Sequence, residues 1–384
     1  MTTDQSNDPN STWAEFRRRM PVTEHWAYFD HAAVAPLSGP AQEAIRQWAD
    51  DAACHGDVNW GQWESRLRDV RCAGAKLIGA DPGEVALVRN TTEGISLVAE
   101  GFPWRPGDNV VTLADEFPSN QYPWMNLAGR GVETRRVDLV DGRVSLDAVA
   151  AACDDRTRIL TVSWIGYASG WRIDVAEVAR IAHDHGGYLF LDAIQGLGAF
   201  PLNVKTAGVD FLAADGHKWM LGPEGAGLFY VRRELLDVLR PLGVGWNSVK
   251  HAHDFQHIEL TLKDTAARYE GGTYNTGGLV GLGASLDLLM ECGIDRIGAR
   301  ILEITDLACR RLTDVGAEIA SCREPAYASG IVSFTLPDRD PAAVRRQCAE
   351  RGVAVNCRAG RIRISPHAYV NEEDVERLIG ALVE

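Results

Sequence analysis

Short apolar runs recur along the first three quarters of the chain, and longer stretches with helical periodicity separate them. A run that is apolar throughout is typical of a strand buried on both faces, as in a parallel sheet. The alternation of such strands with helices predicts an α/β domain built on a mainly parallel sheet. The predicted strands are 85–89, 109–113, 158–163, 188–191 and 208–214, and the predicted helices are 40–53, 63–78, 174–185 and 279–290.

The pattern changes after Gly293. A long helical stretch covers 294–313, and the strands 330–336, 353–357 and 361–365 then alternate with the helices 341–351 and 372–383. This order predicts a small α+β domain at the C-terminal end. The sequence therefore predicts an N-terminal segment over residues 1–27, a large domain over 28–290 and a small domain over 291–384.

Two reactive side chains follow predicted strands of the large domain. Asp192 ends one apolar run, and Lys218 comes soon after the run that ends at Ala214. In an open parallel sheet, ligands bind in the crevice at the carboxyl ends of the strands. An amine and a carboxylate there indicate a pyridine cofactor, because the amine can form a Schiff base and the carboxylate can keep the pyridine nitrogen protonated. Each residue alone also fits a structural role, Asp192 as a helix N-cap and Lys218 as a solvated lysine.

The residues around these positions resemble one family. The segment Asp192-Ala-Ile-Gln195, followed by Asp215-Gly-His-Lys-Trp-Met-Leu-Gly-Pro-Glu-Gly-Ala-Gly227, is similar to the class V aminotransferases. That family has fold type I of the pyridoxal-phosphate (PLP) enzymes and includes cysteine desulfurases, isopenicillin N epimerase-like proteins and kynureninase. The resemblance implies a homodimer that carries PLP on Lys218 and acts on an α-amino acid. It also implies that Asp192 supports the pyridinium and that Gln195 bonds the ring hydroxyl oxygen.

The segment Asn90-Thr-Thr-Glu-Gly94 opens a predicted helix. Unpaired N–H groups and the helix dipole favour an anion at such a place, so this helix start is a candidate phosphate site. The same residues also fit a plain capping box. By resemblance, Thr91 and Thr92 bind the phosphate, and His217 and the loop amides bind it from the other side.

Three further assignments also rest on the resemblance. Phe117 takes the place of a ring that stacks on the cofactor, although a core phenylalanine is the alternative. Thr273 lies in a glycine-rich segment that crosses the dimer interface to the neighbouring subunit's phosphate, although glycines also permit tight packing. Arg363 matches the arginine that binds the substrate α-carboxylate. It shares a strand face with Arg361, and an exposed polar face is the alternative for both.

Two positions depart from the desulfurase pattern. Trp164 replaces an asparagine that touches cofactor and substrate, and Asp215 replaces a serine that contacts the phosphate. An ionised aspartate cannot donate a hydrogen bond to a phosphate dianion, so we expect Asp215 to turn away, to cap a turn or to bind an arginine. Cys357 lacks the mobile loop and the signature of a persulfide-forming cysteine, so we expect a structural thiol there.

The sequence favours a PLP-dependent enzyme of the aminotransferase or epimerase type. Transamination, epimerisation and β-elimination all begin with the same carbanion, so the motifs do not separate them. One alternative is therefore a carbon–sulfur lyase related to the cysteine desulfurases. The other is a PLP-binding protein without catalytic activity, which the intact Lys218, Asp192 and Arg363 disfavour.

The composition limits the classes of partner and the cellular compartment that we expect for this protein. The chain of 384 residues is 46% hydrophobic and has a net charge of −14, which argues against nucleic acid or an anionic membrane as partner. No apolar run is long enough to span a bilayer and the N-terminus has no signal core, so we expect a cytoplasmic protein. The eight cysteines contain no Cys-x-x-Cys pair. His251, His253 and His257 match no metal motif, so we expect no metal site.

Overall fold

A computed structural model of the protein describes residues 9–140 and 142–383. The helices are α1 (Pro9–Arg18), α2 (Gly39–His55), α3 (Trp60–Ile78), α4 (Thr91–Gly101), α5 (Tyr122–Met125), α6 (Leu146–Ala152), α7 (Val175–Asp184), α8 (Thr276–Cys292), α9 (Ile294–Asp314), α10 (Pro341–Glu350) and α11 (Glu372–Val383). The strands are β1 (Ala27–Tyr28), β2 (Val85–Val88), β3 (Asn109–Leu113), β4 (Glu133–Val137), β5 (Thr157–Ser163), β6 (Tyr188–Asp192), β7 (Phe211–Asp215), β8 (Gly227–Val231), β9 (Glu318–Ile319), β10 (Val332–Thr335), β11 (Val353–Ala354), β12 (Asn356–Arg358) and β13 (Arg361–Ile364).

A seven-stranded sheet forms the centre of the large domain in the described part of the chain, with the strand order β2-β8-β7-β6-β5-β3-β4. The strands from β7 to β4 are mutually parallel, whereas β8 lies antiparallel to both of its neighbours. Every residue of β2, β3, β7 and β8 is buried, as expected for strands covered on both faces. The predicted α/β fold with a mainly parallel sheet is therefore confirmed.

Helix α4 packs directly on strand β7, and a glycine permits the close approach. A Cβ atom placed on Gly94 would lie 2.5 Å from the Cβ of Ala213, so no larger residue fits there without a shift. Ile95 and Val98 of α4 share a buried core with Ala213. The start of α4 therefore lies beside the carboxyl end of β7, where Asp215 ends the strand.

The C-terminal part contains an antiparallel sheet in the order β12-β13-β10-β9. Helix α10 packs on β12 and β13, and α11 packs on α9 and α10. The strand predicted over 353–357 is divided at Val355, because β11 pairs with β1 and β12 pairs with β13. The small α+β domain thus contains the predicted helices and strands, with one additional strand break and the short strand β9, which was not predicted.

The N-terminal segment makes contacts with the small C-terminal domain. Strand β1 pairs in parallel with β11, and Asp30 forms an isolated bridge with Ser365. Phe16 of α1 makes edge contacts with the rings of His367 and Tyr369, at centroid distances of 5.5 and 5.8 Å. The domain boundaries expected at 27/28 and 290/291 stay predictions, since these contacts join the N-terminal segment to the small domain.

Among residues 9–140 and 142–383, no single helix is long and apolar enough to cross a membrane. Helices α8 and α9 meet that length and composition only as a pair, with a bend of 80° between them. The same residues bring together no group of three or more His, Cys, Asp or Glu side chains that could hold a metal ion.

Candidate active site

Asp192 and Lys218 lie at the carboxyl edge of the large sheet. Asp192 ends β6, and Lys218 follows β7 after a short turn. Both are buried, with 3% and 9% of their surface exposed. Burial raises the pKa of Asp192 to about 6 and lowers the pKa of Lys218 to about 8, while the charge of each residue opposes the shift of the other. An amine with this pKa has a usable neutral fraction near pH 7, which a nucleophile or general base requires.

The start of helix α4 supplies an anion site at the same edge. Asn90 caps the helix by accepting a backbone hydrogen bond from its first turn at 2.9 Å. Thr91 Oγ1 accepts a hydrogen bond from the Asp215 N–H at 3.0 Å, so this buried hydroxyl joins α4 to β7. Thr92 is exposed, and its Oγ1 donates to Ser119 Oγ at 2.8 Å. The remaining N–H groups of the helix start, the exposed Thr92 hydroxyl and the half-buried Ser119 hydroxyl suit a phosphate.

The ring of Phe117 lies close to the Lys218 amine. Its centroid is 5.6 Å from Lys218 Nζ, and its edge contact with Tyr167 has a centroid distance of 5.4 Å. Phe117 is 42% exposed, so it is not a core phenylalanine. An exposed aromatic face beside the amine suits stacking on a flat conjugated ring.

Gln195 is buried and held at both ends of its amide. Nε2 donates to the Ala32 carbonyl at 3.0 Å, and Oε1 accepts from Trp219 Nε1 at 2.9 Å. An amide nitrogen carries two N–H groups, so one donor is left for another oxygen. The expected bond to the ring hydroxyl oxygen stays a prediction, and the contact with Trp219 fixes Gln195 to the residue after Lys218.

Asp215 pairs with a histidine, whereas the sequence led us to expect that it would turn away, cap a turn or bind an arginine. Its Oδ2 lies 2.9 Å from His217 Nδ1, and both side chains are largely buried. The partner seen in the structure is thus neither an arginine nor a turn amide, and it lies only two positions away, on the turn after β7. With Nδ1 turned to this carboxylate, Nε2 is the ring nitrogen left to face a phosphate, and it donates there in the doubly protonated form of the ring.

Trp164 contributes packing, and its side chain makes no hydrogen bond with the residues that the structure describes. Its ring covers Gly196, where a Cβ atom would lie 2.0 Å from Trp164 Cε3. The backbone N–H of Trp164 donates to the backbone carbonyl of Asp192 at 2.9 Å. The side chain also lines a surface groove with Trp171 and Arg172. The Trp164 ring, at the position of the asparagine, therefore packs against the segment that follows Asp192 and supports it.

Arg363 is buried beside the N-terminal segment, with 1% of its surface exposed. Nη1 donates to the Tyr167 carbonyl at 2.7 Å and Nη2 to Asp30 Oδ1 at 3.3 Å, while Nε has no partner among the described residues. Asn356 Nδ2 donates to the other oxygen of Asp30 at 2.6 Å. The alternative of an exposed polar face thus fails for Arg363 and holds for Arg361, which is exposed. The buried Nε is a donor left for a further acceptor, such as a carboxylate.

A cavity of about 870 Å³ opens beside the start of α4. Thr92 and Thr273 line it, together with Arg89 and Glu270, whereas Lys218 does not. Thr273 is exposed on its wall. Within one chain, the structure therefore places Thr273 near the candidate phosphate site but not in contact with the lysine.

Glu116 belongs to this site although its sequence position alone did not distinguish it. It is buried and accepts hydrogen bonds from the Ser163 N–H at 2.6 Å and from the Ser163 hydroxyl. Ser163 is the register neighbour of Asp192. Burial raises the pKa of Glu116 to about 8, and the charge of Asp192 acts in the same direction. Glu116 is therefore largely protonated near pH 7, which leaves Asp192 as the ionised carboxyl group.

Cys357 faces away from these groups. It is paired with Ile362 in the β12–β13 hairpin, whereas the pair Asn356 and Arg363 lies on the other face. Its thiol donates to the Pro341 carbonyl at 2.9 Å. Burial raises the pKa of the Cys357 thiol, so it is protonated and poorly nucleophilic.

The described residues match the functional groups of PLP. Lys218 supplies an amine for the aldehyde, and Asp192 supplies a buried carboxylate for the pyridine nitrogen. Phe117 offers an exposed ring face, and the start of α4 offers donors for the phosphate. Such a set of unlike groups at one sheet edge fits the cofactor better than any one of them alone would.

Known proteins resemble this chain over most of its length. The family model Aminotransferase class-V matches residues 27–378. A probable cysteine desulfurase of Methanothermobacter thermautotrophicus is 31% identical over 394 residues, which cover 96% of this chain and 97% of the relative. The cysteine desulfurase of Salmonella typhi is 31% identical over 388 residues, covering 93% and 92% of the two chains.

Solved structures show the same fold. The apo cysteine desulfurase from Thermococcus onnurineus NA1 superposes with a TM-score of 0.87 at 26% identity, over 96% of each chain. The cystine C–S lyase C-DES, in complex with cysteine persulfide, gives a TM-score of 0.88 at 23% identity over 94% of this chain and 98% of its own. At that identity the second match supports the fold alone.

The fold and the site define a PLP-dependent enzyme of fold type I. Within that class, the chain belongs to the class V aminotransferase family, to which its match over residues 27–378 assigns it.

Proposed function

We propose that this enzyme cleaves a carbon–sulfur bond at the β-carbon of an α-amino acid, without a persulfide on its own cysteine. The observation that carries the proposal is the buried amine of Lys218, with a pKa of about 8, close to the buried carboxylate of Asp192. The relatives that are 31% identical are named cysteine desulfurases, which favours chemistry at sulfur over the aminotransferase or epimerase reaction first expected from the sequence.

Bound PLP supplies an aldehyde that takes up the substrate amine and a pyridine ring that accepts electrons. The Lys218 amine, in its neutral form, would be the base that removes the proton from Cα. Asp192 holds a proton on the ring nitrogen, because its carboxylate is ionised above a pKa of about 6. Arg363 binds the substrate α-carboxylate, and Phe117 covers one face of the ring. The electron pair left at Cα would form a Cα–Cβ double bond, while the sulfur substituent would depart with the pair of the broken C–S bond.

The position of Cys357 separates this reaction from that of a persulfide-forming desulfurase. The thiol lies on the sheet face opposite Arg363 and donates to Pro341. A tight hairpin, and not a long loop, carries it. Sulfur would therefore leave directly; with cysteine and water, the balanced products are sulfide, pyruvate and ammonia.

A second candidate remains an aminotransferase or epimerase. The same Lys218 can return the proton to another atom or to the other face of Cα, and no residue described above requires a sulfur leaving group. Product analysis separates the two, since only elimination releases sulfide or pyruvate from cysteine.

We further propose that the enzyme is a homodimer and that Thr273 serves the neighbouring subunit. Support comes from the exposed position of Thr273 on the wall of the 870 Å³ cavity beside the phosphate site. An open cavity next to the candidate phosphate site leaves room for a segment from a second chain.

The experiment uses the PLP-loaded enzyme with L-cysteine, L-cystine and a panel of other amino acids. Borohydride reduction and peptide mapping should fix the cofactor to Lys218, and Lys218→Ala should lose this fixation. We expect sulfide or persulfide with pyruvate as products, and Cys357→Ser should release them as fast as the wild type does. Keto acid with a new amino acid, or a racemate, would support the second candidate, and a persulfide trapped on Cys357 would overturn the direct release of sulfur.

A further inference from the structure

The segment over residues 270–275 carries Thr273 between two fixed ends. At one end Glu270 is buried, with 2% of its side chain exposed. At the other end Asn275 caps helix α8, and its Nδ2 donates to the Gly225 carbonyl at 3.0 Å. Thr273 lies between these two ends and is exposed. The contacts at the two ends therefore decide where the Thr273 hydroxyl lies.

The Glu270 carboxylate joins helix α3, strand β2 and this segment. Oε1 accepts from Arg71 Nη1 of α3 at 2.5 Å and from the Leu87 N–H of β2 at 2.7 Å. Oε2 accepts from Arg71 Nη2 at 2.9 Å and from the Tyr274 hydroxyl at 2.5 Å. Hydrogen bonds to an ionised group are short and strong, so these donors hold the buried carboxylate in one orientation. Tyr274, the residue after Thr273, is thereby fixed to α3 and β2.

Close backbone contacts prevent the segment from moving inward. A Cβ atom on Gly271 would lie 1.7 Å from the Gly243 carbonyl oxygen, and one on Gly245 would lie 2.1 Å from the Gly271 carbonyl oxygen. A Cβ atom on Gly272, in contrast, would have none of the described non-neighbouring atoms within 4 Å. The backbone is therefore tightly packed up to Gly271 and open to the outside from there to Thr273.

We propose that Glu270 is a positioning residue for the PLP of the neighbouring subunit, and that it acts through Thr273. Its contact with Tyr274 sets the adjacent backbone and so presents the Thr273 hydroxyl to the phosphate across the dimer interface. The inference rests on the proposed homodimer and on the proposed role of Thr273. Glu270 also lines the cavity beside the candidate phosphate site, but a carboxylate repels a phosphate dianion, so it does not bind the cofactor itself.

A purely structural role of Glu270 predicts a different result. Its contacts with Arg71 and Leu87 also hold α3 against β2 within one chain. If Glu270 did no more than this, its substitution would weaken the cofactor site of its own chain. A role through Thr273 weakens the cofactor site of the other chain. The subunit in which PLP is lost therefore separates the two roles.

The first measurement is the rate at which PLP-loaded homodimers release the cofactor on dialysis, counted as the PLP that borohydride still fixes to Lys218. Glu270→Gln should release PLP roughly tenfold faster, as expected when a hydrogen bond to a charged group is lost. Tyr274→Phe removes only one hydroxyl and keeps the ion pair of Arg71 with Glu270, so it should show a smaller increase. It serves in place of Glu270→Gln if the unpaired Arg71 prevents that variant from folding.

Tyr269→Phe is the matched control for Tyr274→Phe. Tyr269 lies on the same stretch of chain and lines the same cavity, but its hydroxyl donates to two backbone carbonyls and not to Glu270. The control should release PLP at the rate of the wild type. Release as fast as in Tyr274→Phe would show that any lost hydroxyl loosens this region, and would overturn the inference.

The second measurement uses mixed dimers, purified through two different tags, in which one chain carries Lys218→Ala. Borohydride then fixes PLP only in the chain that keeps Lys218. With Glu270→Gln in the Lys218→Ala chain, the fixed PLP should be lost as fast as in the Glu270→Gln homodimer. With Glu270→Gln in the chain that keeps Lys218, the rate should be that of the wild type. The same two arrangements apply to Tyr274→Phe.

The reverse pattern, with fast release only when the substitution and the retained Lys218 share a chain, would overturn the inference. So would a double variant of Glu270→Gln and Thr273→Ala that releases PLP faster than Thr273→Ala alone, because two residues that act through one contact can lose it only once. Both results leave the shared site intact. A monomer, or a Thr273→Ala effect confined to its own chain in the same mixed dimers, would overturn the proposed shared site together with this inference.

Discussion

Acid should destabilise this protein through a buried histidine behind the reactive lysine. His367 is completely buried, and its Nε2 donates to the carbonyl of Trp219, the residue after Lys218, at 3.2 Å. Its Nδ1 has no partner among the described residues. Burial lowers the pKa of His367 from 6.5 to about 4. Protonation would therefore place a charge and an unpaired donor inside a cluster of aromatic rings that includes His31.

The sign and the size of the effect follow from linkage. In the unfolded state His367 binds a proton below its pKa of 6.5, whereas burial prevents this in the folded state until the pH nears 4. The free energy of unfolding is therefore unaffected by His367 above pH 6.5 and decreases as the pH falls from 6.5 towards 4. At pH 5, about 1.5 pH units below the unfolded pKa, the loss is about 2 kcal/mol. Below pH 4 this residue causes no further loss.

The assay is urea unfolding at pH 7.5 and pH 5.0, followed by tryptophan fluorescence. His367→Gln retains a donor for the Trp219 carbonyl but cannot titrate, so its loss of unfolding free energy between the two pH values should be about 2 kcal/mol smaller than in the wild type. His257→Gln is the control, because the side chain of His257 is 82% exposed. If His367→Gln and the wild type lose the same free energy, the assigned role of His367 is wrong.

Three further changes test the site and its support. Asp192→Asn should lower turnover by on the order of a hundredfold, because the carboxylate no longer holds a proton on the ring nitrogen; near-normal turnover in a steady-state assay would exclude the role. Thr273→Ala should release PLP faster on dialysis while the protein stays dimeric in sedimentation, and a fully active monomer would contradict the shared site. Gly94→Ala should cost about 1–3 kcal/mol of unfolding free energy and weaken PLP retention, because the new methyl group would push α4 away from Ala213; a stability equal to the wild type would show that the helix start can shift freely.

Much of the large domain follows from local patterns. The buried strands β3, β5, β6 and β7 have apolar runs that need no knowledge of their neighbours, and Asp192 ends one of them. The antiparallel strand β8 was not predicted, since it begins in a glycine-rich stretch that is equally typical of a loop. The strand β4 was missed because its sequence Glu-Thr-Arg-Arg-Val carries the polar residues of an edge strand.

Contacts between residues that are far apart in the sequence could not be predicted from the local sequence around either residue. Asp30 and Arg363 are separated by 333 positions, and nothing near Asp30 in the sequence indicates an arginine partner. Glu116 could be noticed as an acidic residue after β3, but its burial depends on Ser163, 47 positions away. The orientation of Trp164 depends likewise on the missing side chain of Gly196. The contact between Asp215 and His217 is local, yet the sequence alone did not favour it over other partners.

The link between Asp30 and Arg363 has a consequence for biosynthesis. A ribosome that adds about 5–20 residues per second needs roughly 17–67 s to cover the 333 residues between them. During that interval strand β1 has no β11 to pair with, and Phe29, which is fully buried in the finished protein, lacks its covering. The nascent chain therefore carries an unprotected strand edge until β11 emerges, and binding of a chaperone to the β1 segment should persist until then.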